Sequence, residues 1–310
     1  MSINNVDLSI VIVTWNNDRE IENCLNSLCD TITSKFEIII VDNDSDDLTK
    51  DKIKKLFPEV ILIASSNNLG FARANNLALQ KAKGKYVLFL NPDTIMQETT
   101  VDKCLTFFEK HPKYGALTCR LLNVDGSTQS SIYKLPSYSG IFIESLNLQN
   151  YFPSVIGRLF GYSYHFSHEV ECCMGAFILM KRSEALIIEG FTEKFFMYME
   201  DGDLCWKIKN MLHRKIYFLH EVGCVHLGGC SEHRDVSTSK LSKMIDSIVL
   251  FWKMRKPERW RFIISYYRMV YGIKLFLAKV LNIYSEKKYK KIIENCRDAR
   301  RLFKEKLEEA

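Results

Sequence analysis

Apolar residues along the first third of the chain fall into short dense runs separated by polar clusters, and their spacing alternates between two periods. Leu8–Thr14 (LSIVIVT) is a continuous, β-branched run, the pattern of a strand covered on both faces. Behind it, Ile21, Cys24, Leu25 and Leu28 follow the i, i+3, i+4, i+7 rule that puts side chains on one helical face, with Asn17 or Asp18 placed as an N-cap. Phe36–Val41, Val60–Ala64 and Tyr86–Leu90 repeat the strand pattern, while residues 70–82 and 97–110 carry helical spacing. Residues 125–169 are less regular, with Gly, Ser, Tyr and Pro, and predict a long lid-like excursion over the sheet. Strand runs return at 176–180 and 215–219, and the segment between them turns helical in its second half.

Strands and helices alternating at this spacing predict an α/β fold with a doubly wound, mostly parallel sheet. Such sheets take ligands at the carboxyl ends of their strands. The polar clusters lie there: TWNN after the first strand, DNDSDD after the second and NPD after the fourth. Asn and Asp also populate ordinary turns, so one cluster alone carries little, but three at successive strand ends point to a site. Neither common glycine-rich phosphate loop is present, so a nucleotide held here is gripped differently.

Charge and cysteine content narrow the setting. The net charge of +6 is not spread evenly. Residues 251–310 hold 17 Lys/Arg against 7 Asp/Glu, and the first 250 residues hold 26 against 30. A separate basic element fits this better than a nucleic-acid-coating surface. The first apolar run is short, has no basic flank and ends in a turn, so it does not read as a secretory signal. The ten scattered cysteines then read as reduced core residues, and the protein as cytoplasmic.

Several polar residues suit particular chemistry. Asp42, at the end of a strand, suits a base imide or ribose hydroxyl; Arg73 suits a phosphate; Asp93 is a hard oxygen ligand for Mg²⁺ or Mn²⁺ on a diphosphate. A helix N-cap before TIMQETT is the alternative for Asp93. Glu200, Asp201 and Asp203 cluster behind the apolar FFMYM run, where mutual repulsion raises a carboxylate pKa and suits it to general base work. A solvated helix N-terminus is the alternative there. Cys224, His226, Cys230 and His233 are close in sequence, but their spacing does not match the usual zinc knuckles.

Taken in order, SIVIVTWNN, EIIIVDNDSDD, NNLGFARANN, YVLFLNPDT, GAFILMKRSEALIIEGFTEKFFMYMEDGDLCWKI and VHLGGCS resemble the inverting family 2 nucleotide-sugar glycosyltransferases of GT-A fold, in their rhamnosyltransferase-like branch. The resemblance spans Leu8 to Ser231. It implies that Thr14, Trp15 and Asp42 line the base pocket and that Asn68, Arg73 and Asn76 help hold the nucleotide. Asn91 and Asp93 occupy the family's Asp-x-Asp metal motif, with a neutral amide in the first position. Asp201 falls on the catalytic base, Glu200 and Asp203 on the acceptor side, and His226 on a metal- or diphosphate-contacting histidine. A divalent cation, Mg²⁺ or Mn²⁺, is the implied cofactor.

The implied activity is transfer of a sugar, foremost rhamnose from dTDP-rhamnose, to a glycan or lipid-linked acceptor hydroxyl in bacterial surface polysaccharide synthesis such as O-antigen or capsule. A UDP-hexose or UDP-galactofuranose donor is the alternative. A sugar nucleotidyltransferase would want a glycine-rich first turn, and a non-catalytic scaffold would have no need of Asp42, Asp93 and Asp201. The chain divides into a catalytic domain over 1–240, with a nucleotide half to about residue 115 and an acceptor half after it, and a helical extension over 241–310. In that extension Arg261, Ser265, Arg268, Gly272 and Lys279 share one helical stripe on an otherwise apolar helix, the pattern of a helix lying in a membrane interface. Packing on the catalytic domain or on a second subunit is the other reading. The last segment, KKYKKIIENCRDARRLFKEKLEEA, reads as a solvated helix. Peripheral attachment at the inner face of the plasma membrane follows.

Overall fold

The computed structural model describes residues 6–152, 155–157, 162–228, 237–282 and 286–309. In chain order the first elements are β1 (Leu8–Thr14), α1 (Ile21–Thr31), β2 (Phe36–Asp42), α2 (Thr49–Leu56), β3 (Ile61–Ala64), α3 (Gly70–Lys81), β4 (Tyr86–Leu90), β5 (Thr94–Met96), α4 (Thr100–Lys110) and β6 (Tyr114–Leu122). Then come β7 (Ile132–Tyr133), α5 (Tyr138–Ser145), α6 (Leu148–Tyr151), β8 (His168–Val170), β9 (Cys172–Cys173), β10 (Phe177–Lys181), α7 (Arg182–Ile187), α8 (Glu200–Asn210) and β11 (Lys215–His226). Three long helices follow: α9 (Ser237–Arg255), α10 (Trp260–Asn282) and α11 (Glu286–Glu308).

Two compact units result. The first comprises residues 1–133, 163–196 and 200–234; the second comprises 134–162, 197–199 and 235–310. The C-terminal helices fall in the second unit, and residues 134–162 group with them. That stretch is also not a structureless excursion, since it holds α5 and α6.

The sheet of the first unit runs β3-β2-β1-β4-β10-β6-β11-β5, with β8 on β11. β3, β2, β1 and β4 are parallel, as are β6 and β11. β10 lies antiparallel between β4 and β6, and β5 and β8 lie antiparallel on β11. This is the expected α/β, doubly wound, mostly parallel sheet, with antiparallel strands added. The β-branched runs explain why its centre is continuous: Ile10, Val11 and Ile12 on β1 are all fully buried, as are Leu88 and Phe89 on β4. Ile21, Cys24, Leu25 and Leu28 of α1 join the same core. Burial of such side chains contributes about 1.5–3 kcal/mol each.

The strand ends are fixed by short turns. α1 starts at Ile21, and Asn17 meets it with its backbone carbonyl, which accepts from the N–H groups of Glu20 and Ile21. Gly70 opens α3 at φ 77, where a Cβ would lie 2.8 Å from the Phe196 carbonyl oxygen, so only glycine fits.

In the second unit α10 and α11 lie side by side. Tyr267 stacks on Phe303 at 5.3 Å, and Leu275, Ala278, Ile293 and Cys296 form a small core. α11 is therefore not a solvated helix: Ile293, Cys296, Ala299 and Phe303 recur at helical spacing and are buried. α10 has apolar side chains around most of its circumference, and its partners cover only part of them. Ile263, Ile264, Tyr267 and Val270 are buried, whereas Phe262 and Phe276 are each 66 % exposed. No helix among the described residues is long and apolar enough to cross a membrane.

Candidate active site

The polar clusters expected at the strand ends are all in the first unit, and most of their side chains are tied to one another. Asp42, the last residue of β2, is fully buried. Its Oδ2 accepts from Thr14 Oγ1 (3.0 Å) and Ser45 Oγ (2.6 Å), and its Oδ1 from the Ser45 N–H (3.0 Å). Ser45 Oγ in turn accepts from the Asn16 N–H, so Asp42 staples the turn after β1 to the turn after β2. Trp15 is half-buried in the first of these turns, its N–H bound to Asn17 Oδ1 (2.9 Å). Asn43 carries the network on, donating to the Gly70 carbonyl (3.1 Å) and accepting from the Leu69 N–H (3.2 Å).

On α3 the expected residues part company. Asn68 lies just ahead of the helix, its Oδ1 accepting from the Gly70 N–H (2.9 Å). Arg73 is exposed. Asn76 is turned to another task. Its amide donates to the Phe191 carbonyl (2.8 Å) and to Glu193 Oε1 (3.1 Å), and its Oδ1 accepts from the Phe191 N–H (2.8 Å).

The turn after β4 is the most informative part of the site. TIM is a strand rather than the start of a helix, so Asp93 is not an N-cap; α4 begins only at Thr100, after Thr99 at φ 60. β5 pairs with β11 in the register Thr94↔His226. That register sets Asp93 beside His226, with Oδ1 3.3 Å from Nε2 and both side chains buried. His226 is thus the last residue of a twelve-residue strand, not a residue after one. Asn91 Nδ2 lies 3.2 Å from the same ring nitrogen. A carboxylate, an imidazole and an amide converge here, and the first two are groups that can ligate a divalent cation. Cys224 is buried in the core cluster, and Cys230 and His233 of the zinc alternative lie outside the described residues. No group of three or more metal-binding side chains occurs among the described residues.

The second acidic cluster opens α8. Asp201 Oδ1 accepts from the Gly202 N–H (2.7 Å) and Oδ2 from the Gly175 N–H (3.2 Å). Burial pushes its pKa up to about 6, the charge of Cys205 adding and the two backbone donors opposing. Glu200 is pushed further, to about 8, by burial and then by the Asp201 charge; its Oε2 is buried without a hydrogen-bond partner among the described residues. Asp203 is fully buried and accepts from Thr192 Oγ1 at 2.5 Å, so it faces the protein interior rather than an acceptor. The cluster sits at a helix N-terminus, with Asp203 buried and Glu200 and Asp201 half-buried.

The two acidic groups meet through adjacent residues. Gly175 donates to Asp201, and the carbonyl of Ala176 accepts from the Asn91 N–H (3.1 Å). Sequence spacing gives no hint of Gly175, Asn43 or Ser45. The buried Lys207 was likewise unmarked: its Nζ donates to the carbonyls of Ile188 (3.1 Å) and Gly190 (3.0 Å) and anchors α8 to that turn.

Comparison with known proteins identifies the family. The family model described as "Glycosyl transferase family 2" matches residues 9–182, more than half of the chain. The chain belongs to this family. It is a glycosyltransferase, and the resemblance to the rhamnosyltransferase-like branch holds. It is 29 % identical over 210 residues to the rhamnosyltransferase WbbL of Escherichia coli, covering 64 % of this chain and 75 % of the relative. It is 26 % identical over 276 residues to the N-acetylglucosaminyl-diphospho-decaprenol L-rhamnosyltransferase of Mycobacterium tuberculosis, covering 82 % and 86 %. Among solved structures, a mannosyltransferase from Pyrobaculum calidifontis in complex with GDP-Man and Mn²⁺ aligns with TM-score 0.61 at 15 % identity, over 98 % of this chain and 88 % of that one. That likeness concerns the glycosyltransferase fold alone.

Proposed function

We propose that this glycosyltransferase moves rhamnose from dTDP-rhamnose, with inversion, to a hydroxyl of a glycan or lipid-linked acceptor in bacterial surface polysaccharide synthesis. The observation that carries the reading is Asp201. A carboxylate pushed up to about 6 is ionised at neutral pH yet basic enough to take a proton from an alcohol as its oxygen attacks. The backbone N–H groups of Gly175 and Gly202 hold its two oxygens, so the base is aimed before substrate arrives. The rhamnosyltransferase relatives support the sugar, and the mycobacterial relative's diphospho-decaprenol name supports a lipid-linked acceptor.

In the proposed reaction Asp201 removes the acceptor proton, the acceptor oxygen bonds to the anomeric carbon, and the bond to the diphosphate breaks on the opposite face. On this reading Asp42 and Thr14 hold the turn that carries Trp15 to the base, and Asn68 and Arg73 serve the phosphates. Asp93 and His226, with Asn91, fit a divalent cation: two buried acceptor groups 3.3 Å apart with an amide alongside. When bound, Mg²⁺ or Mn²⁺ would supply charge neutralisation for the departing diphosphate. Mn²⁺ in the mannosyltransferase complex supports this assignment.

The chain is read as working in the cytoplasm, at the inner face of the plasma membrane. The exposed apolar strip of α10, with Arg261 and Lys279 beyond one edge, supports that placement.

Asp201→Asn tests the function directly. It should lower transfer from dTDP-rhamnose by about 10²–10⁴-fold, the usual worth of a general base, with donor affinity kept within a few-fold. Normal turnover in that variant would sink the assignment. A parallel panel of UDP-glucose, UDP-galactofuranose and GDP-mannose decides the donor, and stronger turnover with any of these displaces rhamnose.

A further inference from the structure

His226 has a partner at each ring nitrogen, and one of those partners is a residue to which neither sequence nor resemblance points. Gln129 Oε1 lies 2.9 Å from Nδ1, and Gln129 Nε2 lies 2.6 Å from the carbonyl oxygen of His226 itself. The second contact settles which way the amide faces. A carbonyl oxygen only accepts, so the atom against it must be the NH₂. Gln129 Oε1, also only an acceptor, then faces Nδ1, which must carry the hydrogen. Nε2 is then the ring nitrogen that faces Asp93 Oδ1 (3.3 Å) and Asn91 Nδ2 (3.2 Å).

The local chain explains how Gln129 comes to be there. β6 ends at Leu122, and the chain turns through Asn123–Ser127, with Gly126 at φ 79 and the Asn123 N–H donating to the Ser127 carbonyl (2.8 Å). The Gln129 N–H then bonds back to the Leu121 carbonyl (2.8 Å). β6 pairs with β11, Leu122 opposite Val225, so the returning residue arrives beside His226. The two hydrogen bonds from one amide to one histidine form a closed ring that fixes both the tautomer and the ring plane.

We propose that Gln129 is a positioning residue. It holds His226 as the Nδ1–H tautomer, so that the Nε2 lone pair is presented beside Asp93 to the divalent cation of the donor complex. Without Gln129 the ring is free to take the other tautomer, which puts a hydrogen where a ligand atom is needed. The inference rests on the reading of Asp93 and His226 as the cation-holding pair.

Two measurements test it. Nitrogen-15 NMR of histidine-labelled protein, with the His226 signals identified by their loss in His226→Gln, should show Nδ1 protonated and Nε2 bare. Gln129→Leu, which keeps volume without hydrogen bonds, should shift the ring toward Nε2–H. Mn²⁺ titration followed by electron paramagnetic resonance, on the full chain with Mn²⁺ alone and with dTDP or UDP, should show affinity falling about 10–100-fold in Gln129→Leu. Gln129→Glu keeps an acceptor for Nδ1 and should retain the Nδ1–H tautomer and bind Mn²⁺ more tightly than Gln129→Leu. An Nε2–H or doubly protonated ring in the unsubstituted protein overturns the proposal. So does Mn²⁺ affinity within twofold of normal in Gln129→Leu while Asp93→Ala loses it. If Asp93→Ala also binds Mn²⁺ normally, the cation assignment fails, and the role of Gln129 with it.

Discussion

Asp42 and Glu200 are both carboxylates at the ends of regular elements in the same unit, yet their surroundings are opposite. Asp42 is fully buried and takes hydrogen bonds from two hydroxyls and a backbone N–H. Glu200 Oε2 is buried with none among the described residues, and burial and Asp201 together push that carboxyl up to about 8. Asp201 stands between them, with two backbone donors and a pKa of about 6. A carboxylate saturated by its own protein holds structure; one left short of donors keeps its affinity for protons. The same polar letter at a strand or helix end therefore does different work according to what donates to it.

Exchanging charge at the two ends should separate these roles. Asp201→Asn produces the largest effect, the loss of transfer given above, and removes a buried charge rather than a structural acceptor. Asp42→Ala should do the reverse. It strands the hydroxyls of Thr14 and Ser45 and the Ser45 N–H in a buried turn, and should destabilise the fold by about 2–4 kcal/mol. Urea unfolding at neutral pH measures this. A midpoint unchanged in Asp42→Ala would mean that the turn is held elsewhere and that the contrast drawn here is wrong.

A smaller effect sharpens the Glu200 side. Its folded pKa, about 8, lies above the ordinary value of 4.5, so the folded state keeps a proton that the unfolded chain releases. The sign is that of a raised carboxylate: its contribution favours folding below about pH 4.5 and is lost as pH rises through about 8. Glu200→Gln leaves a neutral amide throughout. The variant should therefore gain on the unsubstituted protein as pH climbs, by about 1–3 kcal/mol between pH 5 and pH 8.5. Parallel stability curves across that range would show that Glu200 is already satisfied in solution.

How much of this is legible in sequence depends on which physical signal a residue leaves. β1, β2 and β4 announce themselves because dense β-branched and aromatic runs have few other fates. β6 leaves no such mark: YGALTCRLL has Thr118 as its one β-branched residue, interrupted by Gly115 and Arg120. β5 is three residues long and exists because β11 pairs with it, which no local pattern reveals. Asp93, Asp201 and His226 are visible as chemistry-bearing letters at element ends and through the family resemblance. Their supports are not: Gly175 acts through a backbone N–H, and Gln129 arrives from a turn almost a hundred residues away in the chain. Asn76 shows the converse, a residue in a binding motif whose amide is taken up by Phe191 and Glu193.

The contrast between satisfied and unsatisfied groups extends to apolar ones on α10, where the expected effect on turnover is smallest. Ile263, Tyr267, Val270 and Ala278 are covered, while Phe262, Met269, Ile273, Phe276, Leu277, Val280 and Leu281 are exposed. At about 100° per residue the exposed residues cover one arc of about 140°, with Arg261 and Lys279 beyond one of its edges. A strip of this kind, apolar in the centre and cationic at one edge, suits the boundary between acyl chains and anionic headgroups. Phe262→Glu with Phe276→Glu should abolish flotation with phosphatidylglycerol vesicles. Because both rings are 66 % exposed, stability should change by only about 0.5 kcal/mol per site. Turnover with a short water-soluble acceptor should stay within twofold, and turnover with a vesicle-embedded acceptor should fall. Unchanged flotation in the double variant would remove the membrane from the account of α10. A change from dimer to monomer on sedimentation, with flotation unaltered, would assign the strip to a second copy of the chain.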